Sequence, residues 1–290
     1  MNRADLVDSL AALTSAPMRT EQLDIGDITM TYDEAGSGSP PLVLVHGFTG
    51  ARTDFTFVHQ PLAASRRVLA PDQRGHRDTS NPTDPSTYTL DQLVEDLETF
   101  LDRVTDQPVH LLGHSMGGIV VMRLALAHPD RVRSLVLMDT SAEAPEMPFD
   151  FTDEIVEAVF GMVREHGLDA ARQFLSSQEN PEQELLIAAN GEDWFARDED
   201  ERYANLDPNV VIELGPRVFR HESVLAELGA VRVPTTILVG SEDTAFVGPS
   251  KRMHDAIEGS RLVIIDGAYH SPQYTHRDQW LAVVETHLDQ

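Results

Sequence analysis

In Gly113-His114-Ser115-Met116-Gly117-Gly118, one hydroxyl stands between glycines. An apolar run, Val109 to Leu112, precedes it, and Ile119, Met122, Arg123 and Leu126 follow at helical spacing. This pattern predicts a strand, a sharp turn and a helix. Ser115 then sits on the turn in strained backbone. Gly113 and Gly117, lacking Cβ atoms, let strand and helix approach closely, and the positive end of the helix beginning near Met116 backs the hydroxyl. Gly-x-Ser-x-Gly alone is short enough to arise by chance; the strand before it and the helix after it make it specific.

A serine hydroxyl is a poor nucleophile at neutral pH, so it needs a base within hydrogen-bond reach and a third group to orient that base. Of the twelve histidines, His270 lies in a loop just after the strand-like run Arg261 to Ile265. Ligand-facing groups in open α/β sheets gather at such carboxyl ends of strands, so His270 is the expected base. His114 adjoins Ser115 and points the wrong way, His110 lies inside a strand, and His59, His166, His221, His254 and His287 read as solvated surface residues. Two acids follow strands between Ser115 and His270. Asp243, in Gly240-Ser241-Glu242-Asp243, is favoured because its strand should neighbour the one leading to His270; Asp139 is expected to shape a hinge, and Glu242 is a third choice. The N–H groups of Met116 and Phe48, the latter in His46-Gly47-Phe48, are expected to receive an oxyanion. No ligand cluster has metal spacing, so neither a metal nor another cofactor is expected.

These loops need a frame. Leu42 to Val45, Arg66 to Ala70, Val109 to Leu112, Val132 to Met138, Thr235 to Val239 and Arg261 to Ile265 read as strands, with amphipathic helices such as Leu90 to Val104 between them. Glu21 to Glu34 suggests two short strands turning at Gly26-Asp27. The rhythm predicts an α/β fold with a mostly parallel, doubly wound sheet. It breaks over 140–232, which reads as an inserted helical cap, leaving 21–139 and 233–290 as the core. Residues 1–20 form an N-terminal extension, expected to be a short helix because Leu6, Leu10 and Leu13 share a face. It would pack on the body or on a second subunit, which would make a homodimer. Phe149, Phe151, Phe160, Met162, Phe174, Trp194 and Phe195 concentrate apolar bulk in the cap. Phe160 and Trp194 are expected to line the substrate side, and Arg77 to put a guanidinium near the pocket mouth.

The formal charge of -26 argues against nucleic acid or anionic membranes as partners, since the field repels phosphate. With no cysteine, disulfides, thiolate metal sites and a cysteine nucleophile are excluded. No signal peptide is read in the first twenty residues, and no run approaches the ~20 apolar residues of a membrane span; the expected location is the cytoplasm.

Taken in order, His46-Gly47-Phe48, Asp72-Gln73-Arg74-Gly75-His76, Gly113 to Gly118, Gly240 to Asp243 and Gly267-Ala268-Tyr269-His270 resemble an α/β-hydrolase-fold serine hydrolase of the capped esterase, lactonase and carbon–carbon-bond hydrolase group. The resemblance covers the chain from about Glu21 onward, outside the cap. Relatives in that family often carry glycine where this chain has Arg77. Those that use a nucleophilic aspartate, the haloalkane dehalogenases and epoxide hydrolases, are set apart by Ser115. The resemblance implies a Ser115, Asp243 and His270 triad cleaving a small to medium carboxylic ester, thioester or lactone, with an apolar small-molecule substrate. Alternatives are carbon–carbon cleavage of a ring-cleavage product, a cofactor-free perhydrolase or haloperoxidase activity, and, at the class level, a non-catalytic ligand-binding module.

Overall fold

The computed structural model describes residues 17–145, 152–176 and 180–290. The helix expected near the N-terminus lies outside the described residues, as do Phe149, Phe151 and the side chain of Phe174.

Eight strands form one sheet: β1 (Arg19–Asp24), β2 (Thr29–Ala35), β3 (Leu42–Val45), β4 (Val68–Pro71), β5 (Val109–His114), β6 (Val132–Met138), β7 (Thr235–Gly240) and β8 (Arg261–Ile265). Their spatial order is β1-β2-β4-β3-β5-β6-β7-β8. The first two pairings, β1 with β2 and β2 with β4, are antiparallel, and the rest are parallel. The mostly parallel sheet expected from the alternation of strands and helices is present.

Continuous aliphatic runs form the central strands because both faces are covered. Val43, Val45, Leu111, Leu135, Leu137 and Ile237 enter one core, while Leu42, Leu44, Leu112, Val136, Met138 and Leu238 enter another on the opposite face. The first core is closed by α2 (Leu90–Val104), through Leu93, Leu97, Phe100 and Leu101, and by α3 (Met116–Ala127). The second is closed by Val58 and Leu62 of α1 (Thr56–Ala63) and by Trp280, Val284 and Leu288 of the last helix, Arg277–Leu288. Each such side chain, fully buried, contributes about 1.5–3 kcal/mol.

Between β6 and β7 the described residues hold helices and no strand: α4 (Asp153–His166), α5 (Leu168–Ser176), α6 (Pro181–Asn190) and α7 (Glu192–Ala204), then shorter turns as far as Ala230. After β7 comes α8 (Thr244–Ala256), which begins five residues before Pro249, where a proline would ordinarily mark a helix start. Pro249 lies inside α8, where it cannot donate a helical N–H bond and its ring crowds the carbonyl one turn earlier.

Three histidines read as solvated are buried: His59, His221 and His287. His287 sits between the hydroxyls of Thr236 (2.9 Å) and Ser134 (2.8 Å), and Ser134 also meets His110 at 2.7 Å. Small hydroxyl residues on inward strand positions supply partners that reading each histidine singly overlooks. Burial pulls His110 and His287 down to about 4, so both are neutral at pH 7.

Candidate active site

Ser115 occupies the turn between β5 and α3 with φ 52° and ψ -118°. A non-glycine residue held at positive φ costs on the order of 1–3 kcal/mol, and persists only where its surroundings over-determine it. Here they do. Ser115 N–H donates to Met138 O (2.9 Å), while its carbonyl accepts from Gly118 N–H (2.9 Å) and the Thr140 hydroxyl (2.7 Å). The glycines permit the close fit: a Cβ on Gly113 would collide with the Gly117 backbone, and one on Gly117 with the carbonyls of Val45 and His46.

The loop after β3 lies beside this turn, since a Cβ on Gly47 would stand 3.2 Å from that of Ser115. Its orientation is fixed by His46, which is fully buried. Gln73 N–H donates to His46 Nε2 (2.9 Å), so the ring proton sits on Nδ1 and is donated to Gly47 O at 2.8 Å. Gly50 N–H reaches the same carbonyl (3.1 Å). In a trans peptide the Phe48 N–H points away from those partners. Met116 is the first residue of α3, so its N–H has no acceptor within the helix. Burial pulls His46 well below its usual range and keeps it neutral.

His270 follows β8 and faces Asp243, which precedes α8, with Nδ1 2.7 Å from Asp243 Oδ2. Its ring packs against Phe246 (centroids 5.0 Å apart) and His114 (4.8 Å). His114 Nε2–H donates to the His270 carbonyl (2.8 Å), so the residue expected to point away from the serine holds the loop of the neighbouring histidine. Burial would lower the His270 pKa, but the hydrogen bond and charge of Asp243, then the charge of Glu182, outweigh it and leave the pKa raised above 6.5.

Asp139 lies beside this pair. It has φ 45°, and its Oδ1 accepts from Gly240 N–H at 2.9 Å. Its other oxygen is buried without a hydrogen-bond partner among the described residues. Burial and the Asp243 charge push Asp139 well above the ordinary carboxyl range, which favours its protonated form. Asp139, Asp243 and His270 bring three potential ligand atoms within 4.8 Å of one another. The Nδ1 and Oδ2 that a cation would need are committed to each other.

Ser115, His270, Gly47 and Phe48 line one pocket of about 310 Å³. Its apolar wall comes from Leu186, Trp194, Phe195, Phe219, Phe246 and Tyr274. Trp194 is therefore in the wall, stacked near Tyr274 (4.9 Å) and Phe57 (5.5 Å). Phe160 is not: it is buried behind Phe219, at 5.9 Å between centroids, and supports the wall from the rear. Arg77 does not line the pocket either, because Glu201 of α7 takes its guanidinium at 2.7 Å. The arginine that does line it is Arg202 of α7, which donates to Thr49 O (3.1 Å), Asp54 (2.9 Å) and Asp198 (2.8 Å) and ties α7 to the loop after β3. One acidic residue four positions before Arg202 was the only sequence sign of this clasp.

A twisted, mostly parallel sheet carrying a strained serine at the carboxyl end of a central strand, with a histidine–carboxylate pair two loops away, defines an open α/β protein with its site at the strand ends. The chain belongs to the alpha/beta hydrolase fold family, whose model matches residues 40–277. It is similar to 2-hydroxy-6-oxononadienedioate/2-hydroxy-6-oxononatrienedioate hydrolase 1 of Dechloromonas aromatica, at 27% identity over 94% of each chain. It is 41% identical, over 113 residues, to the dihydrolipoyllysine-residue acetyltransferase component of the acetoin cleaving system of Pseudomonas putida, a match covering 39% of this chain and 30% of that protein. Among solved structures, the enol-lactonase of Burkholderia xenovorans superposes with a TM-score of 0.80 at 21% identity, covering 93% of this chain and all of that one. Among the described residues, no helix is long and apolar enough to cross a membrane.

Proposed function

We propose that this protein is a cofactor-independent serine hydrolase that cleaves an uncharged ester, thioester or lactone through an acyl-enzyme. The observation that carries this reading is the strained Ser115 sharing one pocket with a His270 whose Nδ1 is held by Asp243. With Nδ1–H donated to Asp243, the lone pair on His270 Nε2 is free to take the Ser115 proton as Oγ bonds to the substrate carbonyl carbon. The carbonyl oxygen becomes an oxyanion, met by the N–H groups of Phe48 and Met116. Collapse expels the alkoxide or thiolate, which takes the proton from His270. Water then repeats the sequence on the acyl-enzyme, releasing the acid and restoring Ser115.

The state of the pocket's arginine favours an uncharged substrate. A carbon–carbon hydrolase acting on an anionic ring-cleavage product needs a cation for the substrate carboxylate, yet Arg202 is committed to Asp54 and Asp198, and Glu199 adds a further acid to the wall. Across p-nitrophenyl esters of rising acyl length, kcat/KM is expected to climb about fourfold per methylene, from the ~0.8 kcal/mol each contributes when buried, until the pocket is full, and then to level. Esters bearing a terminal carboxylate should fall at least about tenfold below neutral ones of equal length, since the pocket's surplus acids repel them. A preference for a dienoic ring-cleavage acid over every neutral ester would overturn the reading.

The acid side of the pH profile offers a second check. His270 must be neutral to accept a proton, and its pKa is raised, so protonation removes activity from a higher pH than an ordinary histidine would. The acid limb of kcat/KM for a neutral ester is expected to have its midpoint above 6.5. A midpoint at 6 or lower would contradict the Asp243 pairing.

A further inference from the structure

Glu182 stands in the first turn of α6, where Asn180 caps the helix by accepting from the Glu182 N–H (3.1 Å). Its side chain leaves the helix and crosses to the core, where Oε1 accepts the N–H of Ser271, the residue after His270, at 2.6 Å. The other end of α6 is fastened to the same stretch of core, with Arg277 donating to Asn190 Oδ1 at 2.8 Å. Between these two ties, α6 presents Leu186 to the pocket. One cap helix thus forms part of the substrate wall and grips the chain on both sides of the short helix Pro272–Thr275.

We propose that Glu182 is a positioning residue for His270, seating the base loop through Ser271 and adding a second negative charge beside the imidazolium, so that base strength depends on the cap being in place. The groups that face His270 are Asp243, with Asp139 behind it, at the head of α8 and the end of β6; His114 at the end of β5; Phe246 on α8; and Glu182 from the cap. Of these, Glu182 alone comes from the insertion. Burial raises the Glu182 pKa, and the charge of His270 and the Ser271 N–H oppose that rise, which is what a carboxylate serving the imidazolium should experience. Because the bond to Ser271 and the added charge both come from one side chain of α6, removing that side chain takes both away and makes His270 a weaker base.

This inference rests on the serine-hydrolase reading, so its test includes a measurement that needs no turnover. In Glu182→Gln an acceptor oxygen for Ser271 N–H remains while the charge is lost; in Glu182→Ala both go. NMR titration of the His270 Cε1–H in resting protein should show the midpoint lowered in both variants, by roughly 0.5 to 1 unit. On the alkaline plateau, Glu182→Gln should keep kcat within about threefold of wild type, whereas Glu182→Ala should lose about tenfold in kcat with KM changed less than about twofold, as for a lost orienting contact. A Glu182 that merely stabilises the cap would lower the melting temperature and leave the His270 midpoint in place. An unmoved midpoint in Glu182→Gln overturns the proposal, and that variant decides alone if Glu182→Ala fails to fold. Activity surviving in Ser115→Ala would instead overturn the serine mechanism, leaving the NMR result to stand by itself.

Discussion

Ser115→Ala is expected to lower kcat on a neutral ester by about 10⁴- to 10⁶-fold, with the melting temperature unchanged or raised. In the proposed mechanism nucleophile, base and acid act as a unit, and removing one member of such a unit costs nearly as much as removing all. The stability effect follows from the backbone. Ser115 holds its strained φ through main-chain bonds to Met138 and Gly118 and through the Thr140 hydroxyl, and none of these uses the serine side chain. Alanine keeps them all and removes only the Oγ. Steady-state kinetics beside a thermal melt separates the two effects, and loss of activity together with a collapse of the fold would show that Ser115 is chiefly structural.

Asp243→Asn should follow closely, with kcat down roughly 10⁴-fold, because an amide can donate to His270 and so hold the wrong imidazole tautomer. Asp139→Asn should stay within about tenfold of wild type. Asp139 accepts from Gly240 N–H, and burial beside the Asp243 charge favours its protonated form, so asparagine, neutral and of the same size, can keep the Gly240 bond through its oxygen. Comparing kcat for the two variants distinguishes two acids that follow strands in the same sheet. A dead Asp139→Asn beside a nearly normal Asp243→Asn would reverse their roles.

Much of the frame was legible because it depends on local pattern. Runs such as Leu42 to Val45 and Val132 to Met138 can be that apolar only if both faces are covered, and the glycines around Ser115 are required by close backbone approaches that sequence spacing already implies. The parallel order and the placing of strand-end loops follow from the same rhythm. What stayed hidden depends on contacts between distant segments. Glu182 and Ser271 are 89 residues apart, and nothing in an acidic helix start foretells which main-chain N–H its side chain will meet. Arg77 looked like a cation at the pocket mouth until α7 brought Glu201 against it, and Arg202, which does reach the pocket, was one charge among many on an acidic helix. Phe160 and Trp194 carried similar aromatic signals, and only the packing of Phe219 between Phe160 and the cavity separates their positions. His114 was set aside because it adjoins the serine in sequence, yet it lines the same pocket and holds the His270 carbonyl.

In the proposed mechanism Ser115 Oγ becomes covalently bonded to the acyl group during turnover. Intact-mass spectrometry after treatment with a fluorophosphonate, followed by peptide mapping, tests it most directly. One adduct per chain is expected, mapped to the peptide containing Ser115, slowed in Asp243→Asn and absent from Ser115→Ala. Full labelling of the Ser115→Ala protein, or an adduct mapped to another residue while hydrolysis continues, would contradict it.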